Sequence, residues 1–148
     1  MKTDLVVVGC IVHDKRILLL KHRKLGKWLP PGGHIEKDET PDETVVREIR
    51  EEVGLDVEVI NRQDLDIHDK QVIQLALPFH VEVHSVGDHL HCCFCYLCKL
   101  KTQELKLNRN EADDVAWFSK GELNQPKINQ DIKAVALRAM ELFESQNI

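Results

Sequence analysis

Residues 40–55, TPDETVVREIREEVGL, constrain the fold more than any other stretch of the chain. Thr40 stands as an N-cap, Pro41 at the first helical position and Glu43 at the third, which is the pattern of a capping box. Asp42 and Glu43 lie where the positive end of a helix dipole favours carboxylates, and Gly54 lies where a left-handed glycine ends a helix. The spacing therefore predicts a helix over Pro41–Val53. At about 100° per residue, Val45, Val46, Ile49 and Val53 fall on one stripe that needs a core to cover it. Glu48, Glu51 and Glu52 share a separate face.

Carboxylates on adjacent helical turns repel, by about a few tenths of a kcal/mol per pair on an open helix and by more when partly buried. A hard divalent cation would offset that cost, since magnesium or manganese takes oxygen ligands and bridges carboxylates to substrate phosphates. A lone E-x-x-E-E is more often a solvated acidic face. Here it stands in register with a glycine loop, with Glu39 and with Arg47. The stretch 33–55 matches the Nudix box, G-x5-E-x7-R-E-U-x-E-E-x-G-U with U bulky and aliphatic, at Gly33, Glu39, Arg47, Glu48, Ile49, Glu51, Glu52, Gly54 and Leu55. The chain resembles a Nudix hydrolase of the MutT-like kind.

That resemblance implies an α/β fold, a Nudix-type α/β/α sandwich with a mixed, partly curled sheet and a loop-helix-loop catalytic motif. It makes Glu39 and Arg47 an ion pair that steadies the motif, with Gly33 and Gly54 as structural support. It assigns Glu48, Glu51 and Glu52 as metal ligands or general base, joined by a backbone carbonyl of the Gly32-Gly33 pair, here taken as Gly32. The implied cofactor is Mg2+, with Mn2+ as the alternative. The implied activity is hydrolysis of a phosphoanhydride bond in a nucleoside diphosphate linked to another group, a reaction that asks for charge neutralisation and an activated water.

Family analogy leans towards a nucleoside triphosphate, canonical or oxidised. ADP-ribose, a nucleotide sugar, a dinucleoside polyphosphate or a non-catalytic nucleotide sensor on the same fold remain alternatives. Lys70 and Gln71 stand where ADP-ribose enzymes of the family carry a proline. Tyr96 is the only tyrosine, and no S-Q-P-W run occurs. A homodimer is compatible with the resemblance.

The flanks add further candidates. Lys21, His22, Arg23, Lys24 and Lys27 make a basic patch just before the glycine loop, in which Arg23 and Lys27 are candidate phosphate contacts. Trp28 is a candidate platform for a base, with packing against the proline turn as the other reading. Glu111, in an acidic loop with Asp113 and Asp114, is a candidate further ligand or base.

The 148 residues, 43% hydrophobic and 30% charged, suffice for one domain over 1–148 with a sizeable core. The net charge of -5 argues against a general nucleic-acid binder, which needs a basic surface to displace phosphate counterions. No segment approaches the roughly 20 apolar residues of a membrane span, so a cytoplasmic location is expected. Alternating or apolar runs predict strands over 5–12, 16–21, 57–60, 75–84, 90–100 and 115–118. Ser119 and Glu122 form a second capping box, and helical periodicity predicts a last helix over 131–145.

Four of the five cysteines crowd into 92–98, beside His89 and His91. Alternation along a strand turns Cys92 away from Cys95, and Cys95 away from Cys98, so neither C-x-x-C pair chelates a metal without a turn. Small buried cysteines are the expected reading, with zinc or redox chemistry as the alternative. His89, His91, Cys93 and Cys95 share one face, where His91 could reach a ligand although an ordinary sheet position is the expectation.

Overall fold

The computed structural model describes residues 1–146. Its strands are β1 (Thr3–His13), β2 (Arg16–His22), β3 (Trp28–Leu29), β4 (Gly32–His34), β5 (Val57–Val59), β6 (His80–Ser85), β7 (Leu90–Leu100) and β8 (Ala112–Phe118). Helix α1 spans Pro41–Val53, a 3-10 turn spans Glu122–Asn124, and helix α2 spans Gln130–Ser145.

The sheet is mixed. Its spine runs β3-β2-β1-β7-β5, with β4 also paired to β1, β6 to β7 and β8 to β2. The β1–β7 pair is parallel, from Thr3 opposite Leu90 to Val12 opposite Lys99, and the other pairs are antiparallel. Strands β1 and β2 read as continuous apolar runs because both of their faces are covered. Val7, Ile11, Leu18 and Leu20 meet Val45, Ile49 and Val53 of α1. Their alternate neighbours Cys10, Val12, Ile17 and Leu19 meet Ala136, Ala139 and Met140 of α2. The result is the α/β/α sandwich with one helix on each face. Among the described residues no helix is long and apolar enough to cross a membrane.

Helix α1 forms as its sequence dictates. Thr40 Oγ1 accepts from the Glu43 backbone N–H at 3.3 Å, and Glu43 Oε1 accepts from the Thr40 N–H at 3.0 Å. Gly54 closes the helix at φ 72°, its N–H donating to Arg50 O.

Two expectations are corrected. The strand expected over 75–84 begins only at His80. Pro78 has no N–H to give a ladder, and the segment before it crosses the start of α1, where the Ala76 N–H donates to Asp42 Oδ2 at 2.9 Å. The strand expected over 115–118 starts earlier, at Ala112, because the Asp113–Asp114 stretch follows β2 past a register shift at Lys21/His22. The Ser119–Glu122 capping box forms, with bonds of 3.0 and 3.2 Å, but opens only the short 3-10 turn.

Candidate active site

Strand β4 brings the glycine pair against the flank of α1. A Cβ on Gly33 would lie 2.4 Å from Glu48 Cδ, and a Cβ on Gly32 would lie 2.0 Å from Val7 O on β1. Glycine at both positions is therefore a requirement of close approach. The Gly32 N–H donates to Glu52 Oε1 at 3.0 Å.

Arg47 organises the acidic residues around it. Its Nε donates to Glu39 Oε2 at 2.6 Å and its Nη2 to Glu39 Oε1 at 3.0 Å, a two-pronged pair. Nη1 reaches Glu48 Oε1 at 3.0 Å and Glu51 Oε2 at 3.2 Å, while Nη2 also donates to the His34 carbonyl at 3.2 Å. The guanidinium, helped by the Thr44 hydroxyl, holds the Glu39 carboxyl down at about 2. The ion pair thus ties the loop before α1 to the helix itself.

Glu48 and Glu52 point inward from α1 and meet Glu111. One carboxylate oxygen from each lies within 4.8 Å of the others. The backbone explains how a residue so distant in sequence arrives. The chain after β7 runs back along the end of α1, with the Lys106 N–H on Val53 O at 2.7 Å and the Asn108 N–H on Glu52 O at 2.8 Å. The Arg23 N–H then donates to Glu111 O at 2.9 Å, fastening this loop to the end of β2.

Glu52 is 4% exposed. Burial first, and then the charges of Glu48 and Glu111, push its carboxyl up to about 9 against the lowering effect of the Gly32 N–H. Burial likewise raises Glu48, opposed by Arg47 and assisted by Glu51 and Glu111. Such a crowded, oxygen-only donor set fits a hard divalent cation.

A stability prediction follows from Glu52. Between its unfolded value of 4.5 and its folded value of about 9, the metal-free folded chain binds one proton more than the unfolded chain. Its stability therefore falls as pH rises through that window, with a limiting slope of about 1.4 kcal/mol per pH unit from this group. Glu52→Gln removes the slope, so in EDTA the variant gains stability on the parent from pH 6 to pH 9. Denaturant titrations at intervals across that range measure the gap, and parallel curves would refute the assignment.

The other expected site residues divide. Glu51 lies outside the trio, its side chain half-exposed and held by Arg47. Arg23 lines a cavity of about 460 Å³ with Gly32, Gly33, Glu48, Glu52 and Glu111, its guanidinium donating to Arg109 O at 2.9 Å. Lys27 lies instead on an adjoining groove of about 510 Å³, with Leu25, Pro30 and Val135. The two spaces meet at Gly32, Gly33, His34 and Glu52.

Trp28 as a platform for a base is corrected. Its indole is 7% exposed, packed edge-on to Phe118 at 5.2 Å between ring centres and covered by Lys127 Nζ at 4.9 Å. It serves the core beneath α2. Asn110 beside the cation cradle, and Asn129 and Asp131 on the groove, carried no signal in the sequence because each stands among other polar residues with no motif spacing to single it out.

The cysteines pack in three directions. Cys98 joins the α1 side, Cys10 the α2 side, and Cys93 and Cys95 lie against Val6. Burial raises the thiols of Cys10 and Cys98, and the hydrogen bond with Cys93, then burial, raises that of Cys95. Among the described residues no cysteine belongs to a group placed to hold a metal.

A glycine loop, a capped helix with inward glutamates and a mixed sheet between two helices define a hydrolase of the Nudix class. A sequence model of the NUDIX domain matches residues 3–139, and the chain belongs to that family. A NUDIX-family hydrolase from Clostridium perfringens superposes with a TM-score of 0.87 at 32% identity, covering 97% of this chain and 99% of that one. Curated relatives match over shorter stretches. An RNA pyrophosphohydrolase of a Marinomonas species is 47% identical over 60 residues, which cover 37% of this chain and 37% of that protein. An 8-oxo-dGTP diphosphatase of Proteus vulgaris is 38% identical over 60 residues, 40% of this chain and 54% of that protein. The matched stretch thus spans between about a third and a half of these relatives' own length.

Proposed function

We propose that the chain is a divalent-metal-dependent pyrophosphohydrolase whose substrate is a nucleoside triphosphate, canonical or oxidised. The convergence of Glu48, Glu52 and Glu111 beside the Gly32-Gly33 strand is the observation that carries this reading. Those carboxylates and the Gly32 carbonyl would hold Mg2+ or Mn2+. When bound, such an ion neutralises phosphate oxygens and lowers the pKa of a bound water.

The chain's own residues account for the rest. Arg23 and its neighbours His22 and Lys24 line the open side of the cradle, where a polyphosphate would bring its charge. The adjoining groove is mostly apolar, with Val6, Val8, Leu29 and Ile132 among its walls, and suits a flat base. Asn129 and Asp131 on that groove are the polar groups available to read the base's edge. The names of two relatives, an RNA pyrophosphohydrolase and an 8-oxo-dGTP diphosphatase, agree with a nucleotide carrying a chain of phosphates.

The test is release of pyrophosphate and phosphate from canonical and oxidised nucleoside triphosphates, ADP-ribose, nucleotide sugars and dinucleoside polyphosphates, each with Mg2+, Mn2+ or EDTA. Turnover of a triphosphate at least about tenfold faster than of the other classes, and abolished by EDTA, is expected. Faster cleavage of ADP-ribose or of a nucleotide sugar would replace the substrate class, and metal-independent turnover would overturn the mechanism.

A further inference from the structure

A second cluster of ligating side chains lies on the α2-facing side of the sheet, where β4, β1, β7 and β6 run side by side. Asp4 and His91 are register partners across the parallel β1–β7 pair, and His84 is the partner of His91 across β6–β7. His34 follows the glycine pair on β4, opposite Val6 of β1. His89, the residue just before β7, brings its Nε2 to 3.2 Å from His91 Nε2.

We propose that Asp4, His34 and His91, with His89 beside them, bind a divalent transition cation of the zinc class, at a site that adjoins the glutamate cradle and shares none of its carboxylates. Asp4 Oδ2 lies 3.3 Å from His34 Nε2 and 3.4 Å from His89 Nε2. His89 Nε2 lies 3.2 Å from His91 Nε2, and the ligand atoms of Asp4, His34 and His91 all fall within 4.8 Å of one another. Bonds of about 2.0–2.2 Å to a tetrahedral centre separate neighbouring ligand atoms by roughly 3.3–3.5 Å. Three of the six edges of such a tetrahedron, at 3.2–3.4 Å, are already close to that length.

The surroundings orient these groups. Asp88 Oδ1 stands 2.7 Å from His89 Nδ1 and fixes the proton on that nitrogen. The lone pair of His89 Nε2 is then turned towards both Asp4 Oδ2 and His91 Nε2, the direction from which a cation would be ligated. Lys2 Nζ takes the other Asp4 oxygen at 3.4 Å, leaving Oδ2 for the cluster. Burial and the neighbouring imidazoles lower the pKa of His91, which favours its neutral, ligating form.

The charge of the cluster identifies its ligand. With histidines alone it would suit a phosphate as well as a metal; the Asp4 carboxylate at its centre repels an anion and attracts a cation. Imidazole nitrogens with a single carboxylate select zinc and its neighbours, whereas the all-oxygen cradle of Glu48, Glu52 and Glu111 selects magnesium or manganese. Asp4, His34 and His91 supply three ligands, and His89, 3.4 Å from Asp4 Oδ2, is the group nearest to complete the shell, which would make this ion structural. It would fasten β4 to β1 and β7 directly behind Gly32 and Gly33. His34 and His91 also line the groove assigned above to the base, but the binding of the ion is read without substrate.

The test uses the whole chain, stripped of metal and titrated with Zn2+ or Co2+ alone, in the parent and in a Glu48→Gln/Glu52→Gln variant. In the variant, which lacks the glutamate cradle, one equivalent should bind with a tetrahedral Co2+ visible spectrum and no thiolate charge-transfer band, and the parent should bind that equivalent and a further one at the cradle. His91→Asn should weaken binding at least about tenfold. His34→Asn should do the same, and because its side chain is 59% exposed the fold survives its loss, which circular dichroism checks. In the glutamate variant, an octahedral spectrum, a thiolate band, binding undiminished by the histidine substitutions, or no binding at all would each overturn the site.

Discussion

Glu52→Gln is expected to lower metal-dependent turnover about 10³-fold while leaving the chain folded. Glutamine has the size of glutamate and keeps an oxygen to accept the Gly32 N–H, which Glu52 Oε1 now accepts at 3.0 Å. What disappears is the negative charge at the buried centre of the cradle. Without it, Glu48 and Glu111 are the carboxylates of the trio that remain, too few for an ion that must also carry a polyphosphate. Glu51→Gln is the discriminating partner. Its carboxylate sits outside the trio and is already held by Arg47 at 3.2 Å, so its loss should cost no more than about tenfold. Steady-state rates over a range of Mg2+ concentrations separate a weakened cation site from a slower chemical step. Equal losses in the two variants would sink the assignment of Glu48, Glu52 and Glu111 as the cradle.

The adjacent glycines should fail in different ways. A methyl group on Gly32 would sit 2.0 Å from the Val7 carbonyl, a backbone atom in the middle of the sheet. Strand β4 would have to leave β1, giving up the Val7–Gly33 and Val8–Gly32 pairings. Gly32→Ala is therefore expected to destabilise by about 3 kcal/mol, at the upper end of overpacking costs. On Gly33 the methyl group meets the Glu48 carboxylate at 2.4–2.7 Å, the end of a side chain that rotates away. Gly33→Ala should cost less stability and more activity, since it displaces a carboxylate from the cradle. Denaturant midpoints and rates for the pair resolve the two modes. A Gly32→Ala protein as stable as the parent would mean that β4 is not anchored as described.

The sequence legibility of this fold follows from how local each determinant is. Every feature that makes α1 lies within fifteen residues, from Thr40 to Gly54, so its cap, stripe and stop could be read directly. The apolar runs of β1, β2 and β7 were equally plain, because strands covered on both faces have little else in them. The run before β6 misled because Leu75 and Leu77 have strand chemistry, and only the crossing over α1 gives that segment another use. Trp28 beside a proline turn fitted either packing or a platform until Phe118 and Lys127 were found on it. Glu111 could be singled out only as one acid among three, because its selection depends on the return of the chain along Glu52. The histidine cluster was the least legible feature. His89 and His91 share a face by simple alternation, yet Asp4 and His34 reach them only through the order of strands in the sheet.

The parallel pairing of β1 with β7 has a consequence for how the molecule is made. Thr3 lies opposite Leu90 and Val12 opposite Lys99, so the whole stretch that carries Arg47 and its glutamates is enclosed in one long chain loop. A chain emerging from the ribosome could form α1 early from local signals, but the central strand meant to sit beneath it would lack its principal neighbour until β7 had appeared. Closing so long a loop costs entropy before any contact rewards it, which puts folding on the slow side for a domain of this size. During that interval β1 is an apolar strand with an open edge, the most vulnerable surface the protein ever presents.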